Sequence, residues 1–341
     1  MVSPGSLSRL AAPVLRDDLK GLSLLDLSAE LLARLRSGHD YKTSEQLLLA
    51  EQLGQLLATR LDVHLNRFSA RRHRDLLSPI LRRLKLTQLK GRTVVDLGCG
   101  SLNPFGFGFL LLMLGASRAY AIDQEPIQDL KIATQALAAA AGWLLLDSGR
   151  ILEADRVSPE EVLSNLHGFQ LPLITAGDPG GIAPGRLLHR LESVHNLSLG
   201  DGEADVVFSV SLLEHLDRVS DALQSLYRIT APGGFGVHVI DFVDHRIYSG
   251  QVKRPFEFLK IASREPLVEG SNRILCDQFR ELFERHGFVC EAVDRWDYRV
   301  AGLGEIAALS ETERAEFVEP YRSMPRENLA TTGARFFVRR L

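Results

Sequence analysis

A hydrophobic run, Val94-Val95-Asp96-Leu97, leads straight into Gly98-Cys99-Gly100, and a second apolar run, Tyr120-Ala121-Ile122, ends on Asp123. Glycines at such a turn let the main chain bend sharply and let a ligand approach the backbone. A carboxylate that closes the next strand can accept hydrogen bonds from both hydroxyls of an adenosine ribose. The pair points to an adenosine cofactor. A dinucleotide fingerprint needs a third glycine where this chain has Asn103, and Asp96 just before the turn would repel a pyrophosphate. A ligand with an ammonium and a sulfonium would instead be attracted to that carboxylate, and S-adenosylmethionine carries both. The expected cofactor contacts at this end are Asp96, Gly98, Cys99, Gly100 and Asp123.

A second set of residues could move a proton. His215 stands beside Glu214 just past a predicted strand, and the segment His238-Val239-Ile240-Asp241-Phe242-Val243-Asp244-His245 leaves another strand toward the same sheet edge. Strand alternation sends His238 and Ile240 to one face and Val239 and Asp241 to the other, so the four cannot converge while the strand persists. Past Asp241 the chain must turn, and Asp241, Asp244 and His245 could then meet as a base with its orienting carboxylate. Histidine is the commonest base near neutral pH. The expected catalytic residues are therefore His215, His245, Asp241 and Asp244, with no metal in the expected site. Ligation of a divalent ion by Asp241, Asp244 and His245 is the alternative.

These residues need a scaffold. From Arg92 onward, short β-branched runs alternate with helical stretches, the pattern of a parallel sheet wrapped by helices. Strands are predicted over 93–97, 118–123, 204–211, 234–241, 288–294 and 335–339, and helices over 127–146, 217–229 and 277–286. Asp277 reads as the N-cap of the last helix and Gly287 as its C′ residue. The Pro- and Gly-rich stretch 171–185 reads as irregular, part of an insertion over about 147–190 ahead of a strand ending near Val194. Up to about Lys90, leucines at three- and four-residue spacing predict a helical N-terminal cap, residues 1–90. Its basic run (Arg67, Arg71, Arg72, Arg74, Arg82, Arg83 and Lys85) reads as a solvated helix face, because no aromatics interleave it.

Composition removes several classes. With 341 residues, 45% hydrophobic, 24% charged and a net charge of −3, extensive disorder and a requirement for a polyanionic partner are both poor readings. Three cysteines without Cys-x-x-Cys spacing argue against a disulfide framework and a zinc-thiolate site. The most apolar stretches, 105–116 and 136–146, are shorter than the roughly 18–20 residues that span a bilayer. Arg9, Arg16, Asp17 and Asp18 interrupt the start of the chain, so no secretory leader is expected. A cytoplasmic location is the expectation.

The sequence resembles the class I S-adenosylmethionine-dependent methyltransferases. Asp96-Leu97-Gly98-Cys99-Gly100 is similar to the family's first motif and Asp123 to its ribose-binding acid. The stretch from Ala204 to Leu216, with Leu213-Glu214-His215, resembles the fourth strand and following turn of a bacterial subgroup, and Ala231-Pro232-Gly233-Gly234 the turn before strand five. The resemblance implies an α/β, Rossmann-like, mostly parallel sheet of seven strands in the order 3-2-1-4-5-7-6 with the last strand antiparallel, over residues 91–341. It also implies adenine contacts after strand three, placed at Ser193 and Val194, and cofactor contacts at Ser209 and Ser211. A likeness to glycan and natural-product methyltransferases through the His238–His245 stretch and Ser271-Asn272-Arg273 hints at a polar acceptor.

The expected function is transfer of a methyl group to a small polar acceptor, directed to a hydroxyl, with 295–333 forming a specificity segment over the acceptor side. Nucleic acid and membrane are not expected partners, and the sequence does not set the oligomeric state. Two other readings compete: a nicotinamide-dependent oxidoreductase sharing the sheet and Asp123, and an RNA-binding protein using the basic helix.

Overall fold

A computed structural model describes residues 89–138 and 164–341, together with Asp26, Pro79, Ile80, Arg83, Ala140 and Glu161. The chain divides into two compact units, residues 83–128 with 184–341, and residues 1–82 with 129–183. Apart from Arg83, the basic run of the N-terminal segment lies outside the described residues, as does most of the segment itself.

The larger unit is built on one seven-stranded sheet. Its strands are β1 (Thr93–Leu97), β2 (Arg118–Asp123), β3 (Leu187–Leu191), β4 (Ala204–Val210), β5 (Thr230–Asp241), β6 (Phe288–Asp297) and β7 (Thr331–Arg340). They lie in the order β3-β2-β1-β4-β5-β7-β6. β1 to β5 run parallel, and β7 pairs antiparallel with both β5 and β6. This is the expected topology. Parallel strands covered on both faces read as continuous apolar runs, and Val94, Val95 and Leu97 are all buried.

Helices cover the sheet. α1 (Gly106–Met113) is buried along its whole length, and Gly108 allows it to sit close to the sheet: a Cβ there would lie 3.2 Å from both Ala119 and Leu187. α3 (Val219–Ile229) turns a stripe of Val219, Ala222, Leu223, Leu226 and Ile229 inward, the spacing of an amphipathic helix. α4 (Cys276–Arg285) buries Cys276, Phe279 and Phe283, which join Phe242, Phe336 and Phe288 in the main core. His238 also belongs to this packing, stacked on Phe283 with centroids 5.1 Å apart.

In the smaller unit the described residues include a helix that begins at Leu130, capped by Asp129, whose carboxylate accepts the Ile132 N–H. The stretch expected to be irregular contains α2 (Leu171–Ala176) and a tight turn at Pro179–Gly181. Pro172 is tolerated because it occupies the first turn, where its missing N–H costs nothing.

Several boundaries differ from expectation. β3 ends at Leu191 rather than near Val194. Asp277 is not the N-cap of α4; that place is taken by Leu275, whose N–H is accepted by the Gln278 side chain at 2.9 Å, while Asp277 pairs with Arg295. Gly287 does follow the helix, with φ +90°. β6 and β7 extend three and four residues further than predicted because they pair with each other along most of their length. The intervening segment is correspondingly shorter and carries a two-residue ribbon, two short helices and a turn.

Gly333, in β7 between β5 and β6, lies under the Trp296 ring, and a Cβ there would come within 2.4 Å of it. Gly333→Ala is expected to lower stability by about 1–3 kcal/mol, the cost of forcing atoms into a filled site. Denaturant titration would check this, and an unchanged midpoint would mean that the ring moves aside freely.

Candidate active site

One end of the candidate site is made by the carboxyl ends of β1 and β2. Gly98 and Gly100 adopt φ +70° and +78°, the left-handed region that glycine enters without strain. The Gly98 N–H donates to the Ile122 carbonyl at 2.9 Å. Asp123 accepts the Gly100 N–H on one carboxylate oxygen at 2.8 Å and the Glu125 N–H on the other at 2.9 Å. The acid thus ties the two strand ends together, and each oxygen keeps a further lone pair for a ligand hydroxyl. Asp96 is buried, and burial first and Asp123 second push its carboxyl up to about 8. The same two causes, with Asp96 added, push the Cys99 thiol upward.

The opposite end is made by the turns that follow β4 and β5. Ser211 leaves β4 at φ +51°, an uncommon conformation for a side-chain-bearing residue, and its N–H is held by the Val239 carbonyl. Leu212 then packs over Gly98, where a Cβ would meet it at 3.1 Å. Leu213–His215 forms one tight turn. The Asn272 side chain donates to the carbonyls of Leu213 and Leu216, and its N–H donates to the Glu214 carbonyl. The His215 Nδ1 sits 2.8 Å from the Gly270 carbonyl, so in the neutral ring Nδ1 carries the proton and Nε2 the lone pair.

Five side chains gather there. The rings of His215 and His245 meet edge to face with centroids 4.6 Å apart. Asp241 lies 3.6 Å from His245 Nε2 and accepts the Tyr248 hydroxyl proton. Glu214 is 1% exposed, with one oxygen accepting the Asp241 N–H at 3.2 Å and the other unpartnered. Burial is the main cause that raises the Glu214 carboxyl to about 8. Burial likewise raises Asp241 and lowers His245, whose neutral ring is therefore favoured. Among the described residues, Glu214, His215 and His245 bring ligand-type atoms within 4.8 Å of one another.

Other expected residues fall elsewhere. Asp244 is fully buried and held by the Arg246 guanidinium at 2.6 Å, so its carboxylate is engaged in that ion pair rather than aimed at the histidines. Ser209 is buried inside the sheet with its hydroxyl 2.8 Å from His238 Nδ1, and burial depresses that histidine to about 3. Val194 packs into the main core. Ser193 bonds locally, its hydroxyl accepting the His195 N–H. The register instead sets Leu191 beside Asp123, with 60% of its surface exposed. Sequence reasoning did not single out Leu191, Tyr248 or the Gly270 carbonyl. Tyr248 could have been suspected from its position three residues after His245.

The sheet order, with a glycine turn at the tip of β1 and an acid at the tip of β2, defines a class I methyltransferase fold. A family model described as a methyltransferase domain matches residues 182–237. With this sheet order and that match, the chain is similar to the S-adenosylmethionine-dependent methyltransferases, enzymes that use this cofactor as methyl donor. Solved structures similar to the chain include an S-adenosylmethionine-dependent methyltransferase from Mesorhizobium loti, at 15% identity, 77% of this chain, 96% of that one and a TM-score of 0.40. Another is the geranyl diphosphate C-methyltransferase from Streptomyces coelicolor, at 13% identity, 89% and 86% coverage and a TM-score of 0.43. No curated protein matches the sequence. Among the described residues no helix is long and apolar enough to cross a membrane.

The raised carboxyl of Asp96 has a consequence for stability. Its folded value of about 8 lies above the ordinary 3.8, so between those limits the folded chain keeps a proton that the unfolded chain releases. The contribution of this group is most favourable below about pH 4 and declines as pH rises toward 8. Asp96→Asn should therefore be more stable than the parent at pH 8, by a few kcal/mol, and nearly equal to it at pH 4. Melting curves of the ligand-free pair at both pH values would show this; equal differences at the two would contradict it.

Proposed function

We propose that this enzyme methylates a hydroxyl of a small polar acceptor. The observation that carries the reading is the cluster of Glu214, His215, Asp241 and His245 at the carboxyl ends of β4 and β5, joined to the donor turn through the packing of Leu212 on Gly98. A hydroxyl is a weak nucleophile that gains from loss of its proton during attack. A site of basic nitrogens and carboxylates suits such an acceptor better than a purely apolar one.

On this reading Asp123 holds the ribose hydroxyls and Asp96 faces the ammonium and sulfonium charges. Leu191 offers an apolar surface to one adenine face. The acceptor oxygen attacks the methyl carbon in line with the sulfur; a new C–O bond forms, the C–S bond breaks and its electron pair leaves with S-adenosylhomocysteine. The hydroxyl proton passes to a histidine, either His215 at Nε2 or His245. Holding the two reactants in line supplies much of the acceleration. Residues 298–330 would shape the acceptor side, and three free cysteines suit a reducing cytoplasm.

Asp123→Ala should weaken binding of S-adenosylhomocysteine by about 1–3 kcal/mol, the scale of leaving a buried polar partner unmatched. His215→Ala should leave that affinity within about twofold and lower turnover by about 100-fold or more. Calorimetry and a labelled-donor assay with the polar fraction of a cell extract would test both. Uptake of label only into apolar compounds would overturn the acceptor class, and unchanged affinity in Asp123→Ala would overturn the ribose assignment.

A further inference from the structure

We infer that Glu214, His215 and His245 form a binding site for a first-row divalent metal ion such as zinc, manganese or cobalt. One ligand-type atom from each lies within 4.8 Å of the others. Two imidazoles and one carboxylate are a ligand set that such ions accept, with one or more positions left open for water or substrate.

Three further observations favour an ion over a set of chance neighbours. First, Glu214 is almost wholly buried, yet one of its carboxylate oxygens has no hydrogen-bond partner. An oxygen left in that state costs free energy that a cation would recover. Second, His245 Nε2 is also buried and unpartnered, with Asp241 too distant at 3.6 Å to accept a hydrogen bond from it. Third, His215 already has the support that metal-bound histidines carry: Nδ1 is committed to the Gly270 carbonyl at 2.8 Å, which fixes the ring and presents Nε2 as a lone-pair donor. The turn bearing Glu214 and His215 is braced by three hydrogen bonds from Asn272. The set differs from the Asp241, Asp244 and His245 suggested by sequence: Asp244 is spent on Arg246, Asp241 accepts the Tyr248 hydroxyl, and Glu214 and His215 stand in their places.

The role of the ion deepens the proposed function and rests on it, whereas the binding itself does not. With an ion bound, the two histidines are ligands and no longer bases. The acceptor oxygen would take an open coordination position, where the metal favours loss of its proton to solvent water. The matching acceptors are those whose hydroxyl adjoins a second oxygen, so that both can reach the ion.

The test is a titration of the metal-stripped full chain with cobalt(II), read by its ligand-field absorption. One saturable equivalent is expected, with binding weakened at least about tenfold in His215→Ala, His245→Ala and Glu214→Gln. Asn272→Ala, which leaves every ligand in place, should weaken it by a smaller factor. His215 is exposed, so its replacement keeps the fold and keeps the experiment decisive if a buried variant fails to express. Absence of saturable binding, or binding unaffected by His215→Ala, would overturn the site. Asp123→Ala should bind cobalt as the parent does while losing affinity for S-adenosylhomocysteine, so failure of the metal site and failure of the donor assignment are read separately.

Discussion

Removing a carboxylate from water without a cation beside it is costly, and this fold does so at two places along one edge of its sheet. Asp96 ends up beneath the glycine turn and Glu214 beneath the histidine pair, and in both cases loss of hydration is the leading cause of a raised carboxyl. A protein selected for stability alone would place an amide or an apolar group at each position. Keeping two acids there makes sense if positive charge arrives with the ligands. On the proposed reading the donor supplies it on one side, and on the other an ion or a transferred proton does so.

The scaffold that permits this is the parallel sheet. Because β1 lies next to β4 and β4 next to β5, the turns after these strands open at one edge, where such sheets bind ligands. The glycine turn supplies backbone and the later turns supply side chains. Gly98 is needed there twice over, for its positive φ and for the room it leaves to Leu212. The core beneath is dominated by phenylalanines and holds His238 as a neutral ring among them.

Much of this arrangement was legible in the amino-acid order. β1 and β2 coincide with their apolar runs because both are buried on two faces, and the acid ending β2 is the residue that bonds the glycine turn. Less legible were features set by partners distant in sequence. Ser209 and His238 find each other across β4 and β5, and no local pattern tells that their polar atoms are spent inside the core. Asp244 and Arg246 are two residues apart, but Asp244 is buried with its N–H held by the Pro255 carbonyl, eleven residues on. The end of β3 was misplaced because its boundary is set by pairing with β2 rather than by composition. Leu191 escaped notice for the same reason: only register shows that it stands beside Asp123.

The residues 211–214 are shared property. A single stretch of backbone, kinked at Ser211, packs onto the donor turn through Leu212 and delivers Glu214 to the neighbouring cluster. With donor and acceptor bound as proposed, the two reactants are not served by independent modules that could be exchanged one at a time. Any drift that refits this enzyme to a new acceptor must either spare those four residues or readjust the donor turn with them, so diversification is channelled into the segments after β5 and between β6 and β7.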